Sequence, residues 1–228
     1  MSGIHFIGGE KGGVGKSVVA RILAQYLIDH QLPFAAFDSD RSHGALLRYY
    51  GDYAESVVID RYESLDGVIE AAAAGPAQRV LVDLAAQTYG QFWQWFSDSG
   101  VAELTEELGI ALNYWHVMDA SSDSLRLLGQ LLDERDERLQ LVVVLNEIRG
   151  DKFELLAHSG LRERAEAAGA RFMRLHRLPD ATMQKIDGGG YSFWAAANAS
   201  GKGLGLLERQ RLKVWLQRAY AEIDQLGV

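Results

Sequence analysis

A glycine-rich segment near the start of the sequence carries the residue types that bind phosphate. After the apolar run 4–7, positions 8–17 read GGEKGGVGKS and lead into an amphipathic stretch. Glycines lack a Cβ, so this backbone can turn tightly and aim N–H groups at phosphate oxygens, while the following helix adds its positive dipole end. Lys16 would neutralise the β- and γ-phosphates, and the Ser17 hydroxyl would bind Mg²⁺. We therefore predict ATP–Mg²⁺ contacts at Gly12, Gly13, Val14, Gly15, Lys16, Ser17 and Val18.

Three aspartates at the ends of apolar runs are candidates for the magnesium and catalytic chemistry. Asp38 and Asp40 follow the run 34–37, and Asp83 ends the run 80–82. Parallel strands present their carboxyl ends at one edge of a sheet, where ligands bind. An i, i+2 pair at a strand end can point both carboxylates the same way, although a plain capped strand end is the alternative for Asp38 and Asp40. Asp83 is suited to hold Mg²⁺ through water.

The lysine before the glycines gives this loop a distinctive form. It departs from the pattern G-x-x-x-x-G-K-S/T at Glu10 and adds Lys11. It resembles the deviant Walker A loop of the ParA/MinD ATPases, K-G-G-x-G-K-S/T. The resemblance implies that Lys11 reaches across a dimer interface to the partner's phosphates, which makes an ATP-dependent homodimer the active unit.

The same resemblance assigns roles to the aspartates and predicts a base pocket. It implies that Asp40 orients the attacking water, that Asp38 supports the Mg²⁺ hydration shell and that Asp83 is the Walker B aspartate. Asn146, which closes the run 141–145, would read the adenine edge with an amide that both donates and accepts. Pro179 and Asp180 resemble the family's second base-contacting loop, with an ordinary turn as the alternative.

Two segments depart from the family pattern. The usual Pro-Gln pair after the second aspartate is absent, because positions 41–44 read RSHG. Positions 84–87 read LAAQ, where relatives often carry Pro-Pro or a phosphate-contacting glycine. Both departures lie in segments that would carry hydrolysis, whereas the phosphate loop keeps the family pattern.

Apolar runs alternate with amphipathic segments in a way that positions these residues. We predict strands at 4–7, 34–37, 57–59, 80–82, 110–117, 141–145 and 172–175. Helices are predicted after the glycine loop, after an N-cap at 121–123, and at about 204–226. The pattern predicts an α/β fold: one P-loop NTPase domain over 1–228, with a doubly wound, mostly parallel sheet and helices on both faces.

Composition excludes several classes of protein. The chain has 228 residues, no cysteine and a net charge of −8, so disulfides, Cys-based zinc sites and an iron–sulfur carrier like the nitrogenase iron protein are excluded. Residues 151–228 are mildly basic, with 12 Lys/Arg against 9 Asp/Glu, so DNA contact stays open. We expect a soluble, cytoplasmic protein without a membrane anchor, because no apolar stretch is long enough to span a bilayer and the end of the chain carries little positive charge.

The leading prediction is a slow, partner-stimulated ATPase that dimerises with ATP and positions DNA or protein cargo in plasmid transfer or partition. Within that class, the loop KGGVGKS and the late helix with RQRLK at 209–213 look most like conjugal-transfer ATPases of the TraL type. One alternative is an ATP-dependent biosynthetic enzyme, such as a dethiobiotin synthetase or a cobyrinate amidase. These share the fold but generally lack a lysine at the position of Lys11. Another alternative is a nucleotide-binding scaffold that does not hydrolyse ATP.

Overall fold

The computed structural model describes residues 3–40, 44–75, 77–199 and 203–227. Seven strands form one sheet in the order β3-β2-β4-β1-β5-β6-β7, and every described strand pair is parallel. The strands are β1 Gly3–Gly8, β2 Phe34–Asp38, β3 Ala54–Ser56, β4 Arg79–Asp83, β5 Ala111–Met118, β6 Gln140–Asn146 and β7 Arg171–Leu175. The predicted α/β class with a parallel sheet is confirmed.

Helices cover both faces of this sheet. They are α1 Lys16–Asp29, α2 Ala45–Tyr50, α3 Tyr62–Ala73, α4 Tyr89–Asp98, α5 Val101–Glu107, α6 Ser122–Glu134, α7 Glu154–His158, α8 Leu161–Ala167, α9 Asp180–Gly189, α10 Phe193–Asn198 and α11 Leu206–Leu226. A short 3-10 helix, Glu147–Arg149, follows β6. No helix among the described residues is long and apolar enough to cross a membrane.

Each face of the sheet has its own hydrophobic core. One core joins α1, α2, α9, α10 and α11, and the other joins α3 to α8. The central strands contribute alternate residues to the two cores: Ile7 packs on the first face, and Ile4 and Phe6 pack on the second. Because both faces are covered, these strands read as nearly continuous apolar runs in the sequence.

The amphipathic patterns that predicted helices correspond to buried faces. The apolar positions that recur at three- and four-residue spacing in α1 are all buried: Val19, Ile22, Leu23, Tyr26 and Leu27. The apolar stripe of α11 from Leu212 to Leu226 is buried as well. Ser121 is the N-cap of α6, as predicted, and its side chain accepts from the Ser124 backbone N–H. The aromatic cluster at 92–96 is mainly core, since Phe92, Trp95 and Phe96 are buried.

One predicted strand is wrong. The run 57–59 was predicted as a strand, but β3 comprises Ala54–Ser56 and the following residues form a loop. Val57 and Ile59 are nevertheless buried in the core beneath α3. Their apolar character reflects burial of a loop rather than strand pairing, and the sequence pattern does not separate these two causes.

Strand β1 lies at the centre of the sheet, between β4 and β5. From β1 the chain first builds the side that holds β2, β3 and β4, and then crosses to build β5, β6 and β7. The carboxyl ends of β1, β4 and β5 therefore flank a topological switch point, where open α/β sheets bind their ligands. The glycine-rich loop leaves β1 at this point.

Candidate nucleotide site

The glycine-rich loop connects β1 to the N-terminus of α1, as a phosphate-binding loop requires. α1 begins at Lys16, and Gly15 before it has φ +99°, in the left-handed region. A Cβ on Gly15 would also lie 2.2 Å from Nδ2 of Asn146. Both the backbone conformation and the close approach of β6 therefore require glycine here. The loop places backbone N–H groups and a helix N-terminus at the sheet edge, which together suit an anion.

Lys16 lies inside the loop rather than in solvent. Its side chain is buried and Nζ donates to the Lys11 carbonyl oxygen at 3.1 Å. Burial lowers the pKa of Lys16, while the negative charges of Asp83, Glu10 and Asp40 act in the opposite direction. The ammonium group is thus held among carboxylates where a phosphate chain would bring further negative charge.

Asp83 is a buried carboxylate without a hydrogen-bond partner. The residue is 2% exposed, and neither oxygen forms a hydrogen bond of acceptable geometry among the described residues, although the Ser17 hydroxyl lies close by. Burial raises the pKa of Asp83 to about 7; neighbouring Asp38 adds to this, while Ser17 and Lys16 lower it. A buried charge with no partner is costly unless a cation arrives. The Asp83 carboxylate therefore fits a divalent cation.

Of the three predicted magnesium residues, the structure brings Ser17 and Asp83 together, whereas Asp38 faces backbone groups. Asp38 Oδ1 accepts from the Asp40 N–H at 3.0 Å. Its Oδ2 accepts from the N–H groups of Leu46 and Leu47 at the start of α2, at 2.9 and 3.2 Å. Burial raises the pKa of Asp38, and these backbone donors oppose that effect. Asp38 thus resembles the capped strand end given as the alternative, with its carboxylate 1% exposed.

No group of three or more His, Cys, Asp or Glu side chains in the described part of the chain could hold a metal ion on its own. Asp40 is partly buried, and its charge acts on both Lys16 and Asp83. Residues 41–43, where the expected Pro-Gln pair is missing, lie outside the described residues.

Ser39 connects the two aspartate segments, and sequence reasoning missed it. Its N–H and its hydroxyl both donate to the Asp83 carbonyl oxygen, at 3.0 and 3.1 Å. Its Oγ in turn accepts from the Ala85 N–H at 2.8 Å. The segments that follow β2 and β4 are therefore bonded directly to each other. A lone serine between two aspartates gave no signal of this link.

Asn146 lies beside the phosphate loop at the end of β6. Nδ2 donates to the Val14 carbonyl oxygen at 2.8 Å, and Oδ1 accepts from the Ile148 N–H at 3.3 Å. In this arrangement the amide braces the loop. Reading of the adenine edge by Asn146 stays a prediction that requires these bonds to rearrange.

A narrow cleft next to Asn146 contains the second predicted base-contacting segment. Its apolar walls include Val18, Ile148, Leu178 and Met183, and Asp180 lies at its rim. The cavity measures about 60 Å³, far below the few hundred Å³ typical of ligand pockets, so a purine must widen it. Pro179 is the N-cap residue of α9, and exposed Asp180 pairs with Arg177 at 2.5 Å. Pro179 and Asp180 thus form the start of a helix beside the cleft, and their contact with a base stays a prediction.

Lys11 and Glu10 are both tied to neighbouring elements. Lys11 Nζ contacts Asp119 Oδ2 at 3.1 Å, within its own subunit. The Glu10 carboxylate accepts from the Tyr89 N–H at 3.1 Å and so caps the start of α4. The glutamate that replaces glycine in the general pattern thus couples the phosphate loop to the helix after Asp83.

The family model described as the CobQ/CobB/MinD/ParA nucleotide binding domain matches residues 5–183. The chain belongs to this family. The match spans the phosphate loop, the aspartate segments and the Asn146 segment, and it makes the protein a nucleotide-binding domain of P-loop type. The predicted family is therefore confirmed.

Individual relatives extend this result along the chain. Protein MobD of Acidithiobacillus ferrooxidans is 29% identical over 227 residues, which is 95% of this chain and 94% of MobD. The MinD cell division protein of Aquifex aeolicus has a TM-score of 0.53 at 17% identity, covering 96% of this chain and 97% of that one. A plasmid partition protein of Borrelia burgdorferi bound to AMPPNP has a TM-score of 0.52 at 13% identity, covering 96% and 98%. At these identities the structural matches show a shared fold.

Proposed function

We propose that the protein is a ParA/MinD-type ATPase switch that binds ATP with Mg²⁺, dimerises in the ATP-bound state and hydrolyses ATP slowly. The observation that carries the proposal is the buried, unpartnered Asp83 carboxylate next to Ser17 and the phosphate-loop lysine. Mg²⁺, when bound, would neutralise negative charge that develops on the phosphates. Ser17 would hold the ion directly, and Asp83 would hold it through water.

The remaining roles follow from placement. The loop 12–18 would cradle the phosphates with its N–H groups, and Lys16 would neutralise them from inside the loop. Asp40 would orient the attacking water and Asp38 would support its position, because the backbone bonds of Asp38 fix the segment that carries Asp40. Lys11 would act in trans on the partner's phosphates, as an arginine finger does.

The relatives favour a role in plasmid biology. Protein MobD matches nearly the full length of the chain, and a plasmid partition protein shares the fold. We propose that the switch acts with a protein partner of a transfer or mobilisation apparatus, a role near that expected of the TraL type. Direct DNA contact through Arg211 and Arg218, which are exposed and seven residues apart on α11, is part of this proposal.

A biosynthetic enzyme remains the second candidate because a polar cavity lies beside the phosphate loop. It measures about 210 Å³ and is lined in part by Glu10, Tyr114, His116 and Arg126. His116 Nε2 lacks a partner among the described residues, and burial lowers its pKa to about 4, so the ring is neutral. A small substrate would find an acceptor here. The dimer-switch proposal is preferred because it accounts for Lys11.

Steady-state ATPase activity at increasing protein concentration tests the proposal. The rate per subunit should rise with protein concentration, because the complete site forms only in the dimer. Lys11→Ala should retain nucleotide binding and lose this rise, whereas Lys213→Ala, which removes an exposed lysine of α11, should match the wild type. A rate per subunit that does not depend on protein concentration and is unchanged in Lys11→Ala would refute the trans role.

A further inference from the structure

A second buried carboxylate, Asp119, lies immediately after β5 and is fully enclosed, with 0% of its side chain exposed. Oδ1 accepts from the hydroxyls of Ser121 and Ser124 at 2.5 and 2.6 Å and from the Ser121 N–H at 3.2 Å. Two cations complete the cluster. Lys11 Nζ and Arg149 Nη1 lie 3.1 and 3.2 Å from Oδ2. The carboxylate thus has a full set of donors.

These contacts hold Lys11 within its own subunit. Besides Asp119, its ammonium group donates to Ser121 Oγ at 2.6 Å. The Lys11 side chain is only 19% exposed, so most of it is withdrawn from the surface that a partner subunit would meet. A lysine that acts on the partner's phosphates must first leave these acceptors.

Arg149 differs from Lys11 in its position and exposure. It comes from the short 3-10 helix after Asn146, and its side chain is 52% exposed. Its Nη2 lies 3.2 Å from the point where a Cβ on Gly13 would stand, so the guanidinium group lies against the phosphate loop. Two cations from different segments of the chain therefore share one buried carboxylate.

Sharing the carboxylate makes the release of Lys11 feasible. Removing the only counterion of a buried carboxylate is strongly unfavourable, because an uncompensated charge stays in a low-dielectric site. When Lys11 leaves, Arg149 and the serine donors still satisfy Asp119. The guanidinium group can then take both oxygens with its fork of N–H groups, a geometry that suits carboxylates.

We propose that Asp119 is a positioning residue that holds Lys11 in cis until the phosphates of an ATP-loaded partner compete for it, and that Arg149 then takes over the carboxylate. This inference rests on the proposed trans role of Lys11 and adds a restraint that sets how much ATP is needed for dimerisation. The phosphates of a partner's ATP carry more negative charge than one carboxylate, so they can compete with Asp119 for the ammonium group.

Asp119→Asn is the primary test, because it keeps the shape of the side chain and removes its charge. In a hydrolysis-blocked Asp40→Ala background, the ATP concentration that gives half-maximal dimerisation should fall about tenfold, the equivalent of one charge-assisted contact. ADP affinity should stay within about twofold, since the phosphate loop is untouched. Asp123→Asn, which removes an exposed carboxylate in the first turn of α6, is the matched control and should change neither value.

Arg149→Gln tests the second half of the proposal at a half-exposed site that does not endanger folding. Lys11 would then be the one remaining counterion among the described contacts of Asp119, so half-maximal dimerisation should need about tenfold more ATP. Arg149→Lys should restore most of the wild-type response, because it keeps the charge. In the double variant Asp119→Asn/Arg149→Gln, the effect of losing Arg149 should disappear.

The outcomes separate the two proposals. If Lys11→Ala hydrolyses and dimerises like the wild type, the trans role fails, and the restraint fails with it. If Lys11→Ala loses dimer-dependent hydrolysis but Asp119→Asn leaves the ATP dependence unchanged, only the restraint is wrong. An Asp119→Asn variant that loses ADP affinity tenfold would show that Asp119 supports the phosphate loop itself, and it would also overturn the restraint.

Discussion

Two buried aspartates flank the phosphate loop on either side of β1, and their surroundings are opposite. Asp83 ends β4 and has no hydrogen-bond partner among the described residues, while Asp119 follows β5 and has five donor groups. Burial raises the pKa of Asp83 to about 7. Burial also acts to raise the pKa of Asp119, but the donors from Ser121, Ser124 and Lys11 outweigh it and lower that pKa.

The difference shows how one residue type serves two purposes at one sheet edge. Asp83 lacks the counterion that a buried carboxylate needs for stability, as expected of a group that binds a metal ion. Asp119 already holds Lys11, which the active dimer would need, so this lysine must be released. Asp83 therefore favours the binding of metal and nucleotide, whereas Asp119 restrains dimerisation.

The largest expected effect comes from the cation next to the unpartnered carboxylate. Lys16→Ala should weaken ATP binding by at least about 100-fold, because it removes the buried positive charge that faces the phosphates. Isothermal titration with ATP and Mg²⁺ measures this, with Lys213→Ala as the control. Near-normal ATP affinity in Lys16→Ala would contradict the placement of the phosphates.

Asp83→Asn should stabilise the nucleotide-free protein in alkaline conditions. The folded-state pKa is raised from 3.8 to about 7, so folding favours the protonated form, and a penalty develops as the pH rises through this range. Removing the charge should raise Tm by ~5–10 °C at pH 8. At pH 5 the gain in Tm should be well under half of the gain at pH 8.

Thermal melts with a chelator present measure this gain, and Asp98→Asn in the exposed end of α4 serves as the control. Added Mg²⁺ and ATP should stabilise the wild type much more than Asp83→Asn, because only the wild type keeps the carboxylate that holds the ion. An Asp83→Asn variant that is less stable than the wild type at pH 8 would show that Asp83 already has a partner.

Asp119→Asn should have the opposite effect on thermal stability and lower the Tm. The folded-state pKa of Asp119 is lowered, so the ionised form stabilises the fold above its ordinary pKa, and this contribution is lost as the pH falls through the folded value. At pH 7 the variant should lose ~3–8 °C in Tm, because charge-assisted bonds to a buried group are replaced by weaker ones. The difference from the wild type should shrink when melts are repeated near pH 3. A Tm at pH 7 equal to that of the wild type would contradict the stabilising role of these contacts.

The smallest effect concerns the link between the two aspartate segments. Ser39→Ala removes one hydroxyl that donates to Asp83 and accepts from Ala85, and should cost about 1 kcal/mol, or ~2–4 °C in Tm. We also expect a lower ATPase rate with ATP affinity nearly unchanged, because the segments after β2 and β4 would no longer be held together by the Ser39 hydroxyl. Ser64→Ala, which removes the bond to the Val58 N–H, is a control with a similar loss of stability and no effect on the rate.

Local patterns in the sequence predicted the sheet and the phosphate loop, because each depends on residues that are close in the chain. The apolar runs and the GGEKGGVGKS segment needed no knowledge of distant contacts. The prediction of a strand at 57–59 was wrong because Val57 and Ile59 are buried without strand pairing. Burial alone does not distinguish a strand from a packed loop.

The Asp119 cluster could not be predicted, because it joins residues 108 positions apart. In the sequence, the segment MDASSDSL indicated only a helix N-cap, which Ser121 indeed supplies. Neither residue type nor periodicity connects it with Lys11. The donors around Asp38 were not predicted either. Its carboxylate accepts from the Leu46 N–H at the start of α2, and no residue pattern indicates this contact.

The most direct test of the switch is the mass of Asp40→Ala measured by light scattering with each nucleotide. Our account predicts a monomer with ADP and Mg²⁺ and a dimer with ATP and Mg²⁺, and it predicts that adding Lys11→Ala keeps the protein monomeric in both cases. A mass that ATP does not change would contradict the account.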